Sequence, residues 1–431
     1  MYPSLSTQHT GPPPSAMAVG RRRLRAYFEG TLASFVISSL MCMVILTNLA
    51  LHWRLPGYID MTTPRTNLAR TGEDSGAGGH VRRNLLPPEW GAPVGADGGG
   101  GDDDGNGEDE ILRVLRQAGV EVDDEILATL PKWSDLTSMY GPMSSGPTIV
   151  GLDTCARFRS MHDPADAYIG PAGIFNTGTN LLAKLLNLNC AIPAKRARGR
   201  GAGMRWQVPW GKHNPVGAFR LHNVAGAEVE DPPIDQTAVL PVVTTKDPYG
   251  WMGSMCRHPY AASWDHRTHC PNLVANPEDQ RRGIWRGGPD GDGAVPVTVN
   301  FGPRQRNVTR HSSLAGLWND WYGEYFDEVD FPRLIVRFED IMLKPQEVVT
   351  KVCQCGGGEM KDTANFVMVA DSAKGKRGSH QGSSGLVDAL KKYGNPETRV
   401  SGMTDADLAY ARANLRSDLM DAFGYVHPIS G

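Results

Sequence analysis

The apolar positions of this chain fall into distinct textures. Residues 31–51, TLASFVISSLMCMVILTNLAL, carry no charge on any side. At about 1.5 Å of rise per residue the run spans roughly 30 Å, the thickness of a hydrocarbon layer. It has no amphipathic stripe, which argues against a helix buried in a soluble core. A cleavable signal peptide would have a shorter apolar core and small residues at the cut. Here the run ends in LALHWRLPG, with Trp53 and Arg54 as interface anchors. A transmembrane helix over 31–51 is the expectation.

A second texture begins near residue 165, where strand-like runs alternate with helix-like ones. AYIGPAGIF at 167–175 reads as a strand and TNLLAKLLNL at 179–188 as the helix after it. AVLPVVTT at 238–245 reads as a buried strand, followed by a helix through WMGSMCRH at 251–258. RLIVRF at 333–338 is a third strand, followed by the helix PQEVVTKVCQC at 345–355. SSLAGLWNDWYGEYF at 312–326 is helical and aromatic, and 404–423 reads as one amphipathic helix with Thr404 as N-cap and Asp407 at the capping-box position. This alternation predicts an α/β fold with a parallel sheet flanked by helices. Residues 275–310, rich in glycine, proline and arginine, are expected to form a long loop.

Between the two lies a stalk, assigned to 52–164. Its run ADGGGGDDDGNGEDE at 96–110 cannot build a core. Residues 109–130 place Ile111, Leu112, Leu115, Ile126 and Leu127 at helical spacing, as a short helical piece of the stalk or a collar on the folded domain. Charge sets the orientation. Arg21, Arg22, Arg23 and Arg25 precede the apolar run, so the tail 1–30 is expected in the cytoplasm and the rest in the lumen of the secretory pathway. The net charge of −3 gives no reason to expect nucleic acid. Apart from Cys42 in the apolar run there are six cysteines, an even number that suggests disulfides in an oxidising lumen, with Cys256 and Cys270 the first candidate pair. Those two cysteines and three histidines share residues 256–270, but their spacing fits no closed tetrahedral metal site. The sequon Asn307-Val308-Thr309 marks a glycosylation site if lumenal.

The chemistry concentrates in two stretches. In GPAGIFNTGTNLL, 170–182, a strand ends, glycines turn backbone N–H groups toward one point, and a helix begins. Free amides and the positive end of the helix dipole make an anion cradle there. Gly173 and Gly178 have Walker A spacing, but Thr179 stands where its lysine belongs and Asn180 where its Mg²⁺-holding hydroxyl belongs, which disfavours a P-loop kinase. In VTTKDPYGWMGS, 243–254, a strand ends in Lys246-Asp247-Pro248 and Ser254 follows on the next helix, so that both side chains can converge on one phosphate.

Together, over about residues 165–425, these stretches resemble the sulfotransferase superfamily, whose members use 3′-phosphoadenosine 5′-phosphosulfate (PAPS) and need no metal. Phe175-Asn176-Thr177-Gly178-Thr179-Asn180 is similar to the family's phosphosulfate loop, and Lys246-Asp247-Pro248 through Ser254 to its 3′-phosphate motif. The resemblance implies a P-loop-like sulfotransferase domain at 165–431, in a single-pass type II protein of the Golgi membrane. It implies sulfuryl transfer to a hydroxyl or amine of an acceptor glycan or protein. Asn176, Thr177, Gly178, Thr179, Asn180, Lys246 and Ser254 would bind the nucleotide, joined by Lys376 and Arg377 of KGKRG, which looks like the family's late basic loop. Two positions depart from the pattern. Lys246 replaces an arginine, losing its planar fork. Asn176 replaces the lysine that neutralises the leaving oxygen. Lys212 is the candidate replacement cation and His213 the candidate base, with His222 in reserve. The alternative is an inactive nucleotide- or glycan-binding module.

Overall fold

The computed structural model describes residues 104–142, 146–198, 201–220, 234–281, 293–301, 307–327, 330–371 and 385–429. The expected tail, membrane helix and first half of the stalk lie outside these residues, as do His222, Lys376 and Arg377.

The centre is a four-stranded sheet of β1 (Ile149–Val150), β2 (Tyr168–Ala172), β3 (Val239–Thr245) and β4 (Leu334–Arg337), in the order β1-β4-β3-β2. β2 runs parallel to β3, with Tyr168 opposite Val239, and β3 runs parallel to β4, with Val242 opposite Leu334. β1 pairs antiparallel with β4, so the sheet is mixed rather than fully parallel. Every residue of β3 is buried, as a strand covered on both faces requires. Successive side chains go to opposite faces: Leu240 and Val242 join one apolar cluster, Val243 the other.

Along the chain run α1 (Asp104–Gln117), α2 (Thr179–Asn189), α3 (Pro248–Arg257), α4 (Leu314–Asp327), α5 (Phe338–Leu343) and α6 (Pro345–Cys355), and the later helix Leu386–Tyr393 carries two further residues of the site. Each parallel strand runs directly into a helix: β2 into α2, β3 into α3 and β4 into α5. Three helix N-termini are thereby gathered at the carboxyl edge of the sheet, where open α/β folds bind their ligands. Pro248 and Pro345 sit in the first turns of α3 and α6, where a missing N–H costs nothing.

The folded body begins before residue 165. Ile111, Val114 and Leu115 of α1 are buried in the larger cluster with Leu136, Met139 and Tyr140. β1 and the helix Cys155–Met161 follow, within the range assigned to the stalk. The glycine–aspartate run dominates the composition there and hides the short apolar stretches beside it. Residues 275–310 also hold more than a loop. Val297–Phe301 and Asn307–His311 form an antiparallel pair, extended by Ala262–Ser263. The alternation in VTVNF, with Val297, Val299 and Phe301 inward, is its signature. The expected helix 404–423 is two, Asp405–Asn414 and Ser417–Ala422. Thr404 and Asp407 form the capping box at its start. At the break, the Asn319 side chain donates to the Asn414 carbonyl and accepts from the Arg416 N–H, replacing lost helical bonds.

Three disulfides close the body: Cys155–Cys355, Cys190–Cys353 and Cys256–Cys270. The first two both reach the end of α6 from segments that flank β2 and α2. The third holds the end of α3 to the loop that follows it.

Candidate functional site

The glycine turn lies between β2 and α2. Gly173 and Gly178 have φ of 156° and 82°, and Asn176 takes the left-handed value of 66°. A Cβ on Gly178 would lie 2.4 Å from the Phe338 ring, so this position needs glycine for both its backbone and its space. The first amides of α2, those of Thr179, Asn180 and Leu181, have no intrahelical acceptor.

Not every side chain of the turn faces outward. The Thr177 hydroxyl is buried and donates to the Ile174 carbonyl, 2.7 Å away, with Thr244 Oγ1 at 3.0 Å. It fixes the turn from within. Asn176 also turns away. Its left-handed backbone carries the amide to the end of α3, where Nδ2 donates to the His258 carbonyl at 2.8 Å. Ser254 O lies 3.4 Å from the same nitrogen. The Asn176 side chain therefore closes a helix end. Thr179 is buried at the start of α2. Asn180 Oδ1 accepts from the ammonium of Lys212.

That contact brings the segment 206–213 to the turn. The Lys212 ammonium also lies 4.3 Å from the centre of the half-exposed Trp206 ring. The Lys212 carbonyl accepts from the Gly173 N–H at 2.8 Å. His213 Nδ1 lies 2.7 Å from the Gly173 carbonyl. A carbonyl only accepts, so Nδ1 carries the proton and Nε2 holds the lone pair of the neutral ring. The ring leans on Phe175, 5.0 Å between centroids, and Phe175 stacks on Tyr260 at 5.5 Å.

The second motif sits against the first. Lys246, at the end of β3 and only 1% exposed, donates to Ser254 Oγ at 3.1 Å. Its ammonium lies 4.7 Å from the centre of the same Phe338 ring that fills the space beside Gly178, and 3.5 Å from that of Tyr393. Burial pushes the Lys246 ammonium down from its ordinary value, opposed by Tyr393 and Glu339. Burial would raise the Tyr393 phenol, but the ammonium groups of Lys246 and Lys392 outweigh it and bring it down to about 7. Asp247 caps α3 through the Gly250 N–H and is held by two nitrogens of Arg399. Beneath it Glu339 accepts from the Asp247 N–H and the Tyr425 hydroxyl. Burial, reinforced by the Asp247 carboxylate, raises Glu339 to about 7.

One helix holds these parts in place. On α4, Trp318 donates to the Lys246 carbonyl, Trp321 to the His213 carbonyl and Tyr322 to the Thr244 carbonyl. From α3, Trp251 donates to the Phe175 carbonyl. Each bond pins the main chain within two residues of a site residue.

The structure thus gathers Thr179, Asn180, Lys212, His213, Lys246 and Ser254 at the sheet's carboxyl edge. Asn307 is exposed at the start of its strand, opposite Phe301, whose ring stacks on Phe175. Sequence reasoning missed Arg257, whose Nη2 lies 3.0 Å from Ser254 Oγ. Its position three residues after Ser254 on one helix was a readable signal. It also missed Tyr393 and Lys392, which no local pattern connects to Lys246. No protein-family model, curated protein or solved structure matches this chain.

Proposed function

We propose that the chain is a PAPS-dependent sulfotransferase that transfers a sulfuryl group to a hydroxyl or amine of a secretory-pathway acceptor, a glycan or a protein. The observation that carries this reading is the contact between the two motifs: the glycine turn that opens α2 shares the Phe338 ring with Lys246, which in turn bonds Ser254. A turn rich in amides beside a lysine and a serine hydroxyl matches the chemistry of a nucleotide with phosphate at both ends. The glycine turn between a strand and a helix fits the phosphate-loop-like fold of that family. Three disulfides suit an oxidising compartment and support a lumenal, Golgi-type location behind the membrane helix at 31–51.

The PAPS co-substrate would supply the activated sulfuryl group. The amides that open α2 would hold its 5′ end, and Lys246 with Ser254 its 3′-phosphate. His213 takes the acceptor's proton at Nε2 as the acceptor oxygen or nitrogen bonds to sulfur. The sulfur–oxygen bond to the 5′-phosphate breaks, and negative charge collects on that phosphate oxygen. Asn176 brings no positive charge, so Lys212, already bonded to Asn180 at the start of α2, neutralises it.

Asn176 also motivates the second reading, a binding module without turnover, because its amide is engaged at the end of α3. Titration of the full-length chain with adenosine 3′,5′-bisphosphate, with and without Mg²⁺, separates the sulfotransferase scaffold from a kinase: tight binding without Mg²⁺ supports the former. Transfer of labelled sulfate from PAPS to hydroxyl or amine acceptors then separates enzyme from binding module. Nucleotide binding with no transfer to any acceptor favours the module.

A further inference from the structure

Ser254 Oγ sits between two cations. Lys246 Nζ donates to it from one side at 3.1 Å and Arg257 Nη2 from the other at 3.0 Å. The hydroxyl's own proton goes to the Gly250 carbonyl at 2.9 Å. Both lone pairs of a neutral oxygen are thus taken up by positive groups. A third cation stands close. The Lys392 ammonium is 5.6 Å from the centre of the Tyr393 ring, and Lys246 faces the same ring at 3.5 Å. Lys392 is held below its ordinary value by burial and then by the charges of Arg257 and Lys246, with Tyr393 opposing.

The carboxylates nearby are spent elsewhere, and the one acidic group that faces Lys246 and Ser254 is the Tyr393 phenol. Asp247 is bound to Arg399, and Glu339 faces the Asp247 N–H and Tyr425. Among the described residues no carboxylate pairs with Lys246, Arg257 or Lys392. Three cations outnumber the single phenol of Tyr393 and repel one another, and a dianion among them lowers that cost. A phosphate monoester, with about two negative charges and three acceptor oxygens, has the charge and the acceptors to suit.

We propose that Arg257, with Lys392, completes a phosphate-monoester site around Ser254, and that Arg257 supplies from α3 the guanidinium fork that Lys246 lacks. This rests on the nucleotide reading above and adds to it: the discriminating contact to a 3′-phosphate comes from the last turn of the helix as well as from the end of the strand. A fork can bond two phosphate oxygens at once, whereas an ammonium acts as a point charge. Arg257 is exposed, so its replacement leaves the core intact.

The test uses the full-length chain and two ligands, adenosine 3′,5′-bisphosphate and adenosine 5′-phosphate, titrated by calorimetry. Arg257→Ala is expected to weaken the bisphosphate about tenfold to hundredfold and the monophosphate little. Arg257→Lys should recover only part of the loss, and Lys392→Ala should show a smaller loss of the same kind. If Arg257→Ala binds the bisphosphate as the wild type does while Lys246→Ala loses it, the inference is overturned and the nucleotide reading stands. If the wild type shows no preference for the bisphosphate, the nucleotide reading fails and takes the inference with it.

Discussion

The two halves of the site are built by opposite means. Around the glycine turn, polar groups are matched in place: Thr177 bonds inward, Asn176 closes a helix end, and Lys212 meets Asn180. Around Lys246, cations converge on a serine with no carboxylate partner. The first half is shaped by the main chain, through left-handed φ values and helix amides. The second is shaped by side-chain charge, from Lys246 buried among aromatic rings and from Arg257 exposed on the helix. A main-chain site is insensitive to single side-chain changes, apart from the glycines and from Lys212 and His213 beside it. A charge site responds to each cation separately.

Four experiments test that contrast. The largest effect belongs to His213→Ala, which should lower turnover about 10²–10⁴-fold and leave nucleotide affinity nearly unchanged. Lys212→Ala should act in the same direction. Unchanged turnover in the histidine variant would remove it as the base.

The buried carboxyl under Lys246 gives the next effect. Glu339 has a native value near 7 against 4.5 when exposed, so the folded state binds more protons across that interval. Stability should therefore be full below pH 4.5 as far as this group is concerned, and fall as pH rises through 7, by roughly 3 kcal/mol at most. Tyr393 works in the opposite sense, adding stability above pH 7, so the measurement belongs between pH 4.5 and 7. Chemical denaturation of Glu339→Gln across this range should show a flatter profile than the wild type. A profile as steep as the wild type's would place the titration elsewhere.

Lys246→Ala should weaken nucleotide binding about tenfold to hundredfold, and the loss should nearly vanish for a ligand without a 3′-phosphate. In the same variant the Tyr393 phenol should return toward its ordinary value of 10, read from its phenolate absorbance. Equal losses with both ligands would leave Lys246 a structural residue. The smallest effect is that of Asn176→Gly, which keeps the left-handed turn and deletes only the helix-end bond. It should cost about 1 kcal/mol of stability with no change in nucleotide affinity. A tenfold loss of affinity would mean that Asn176 does face the ligand.

The alternation of strands and helices was legible because each element carries its own period. The helix Pro345–Cys355 was read to the residue, since proline opens it and a glycine follows it. The antiparallel β1 was hidden, for two residues in length are too few to show a period. The pair at 297–311 was obscured by the glycine, proline and arginine around it. In the site, Lys246 and Ser254 share a strand–helix junction, and that spacing was visible in the chain. The side-chain directions of Thr177 and Asn176 were not, because motif spacing specifies which residues are near an anion but not which way a threonine or a left-handed asparagine turns. Lys392 and Tyr393 come to Lys246 only through the packing of a distant helix, and no local pattern encodes that.

The indoles on α4 and α3 have an optical consequence. Trp318 is bonded to the carbonyl of Lys246, Trp321 to that of His213, and Trp251 to that of Phe175, and all three are fully buried. A buried indole emits according to the electric field across its ring, and here three rings are wired to the main chain at the charge site, at His213 and at the turn. Charge arriving beside Lys246 alters the field at Trp318 first, and charge arriving at the turn alters it at Trp251. The protein carries its own spectroscopic gauges, one for each part of the site.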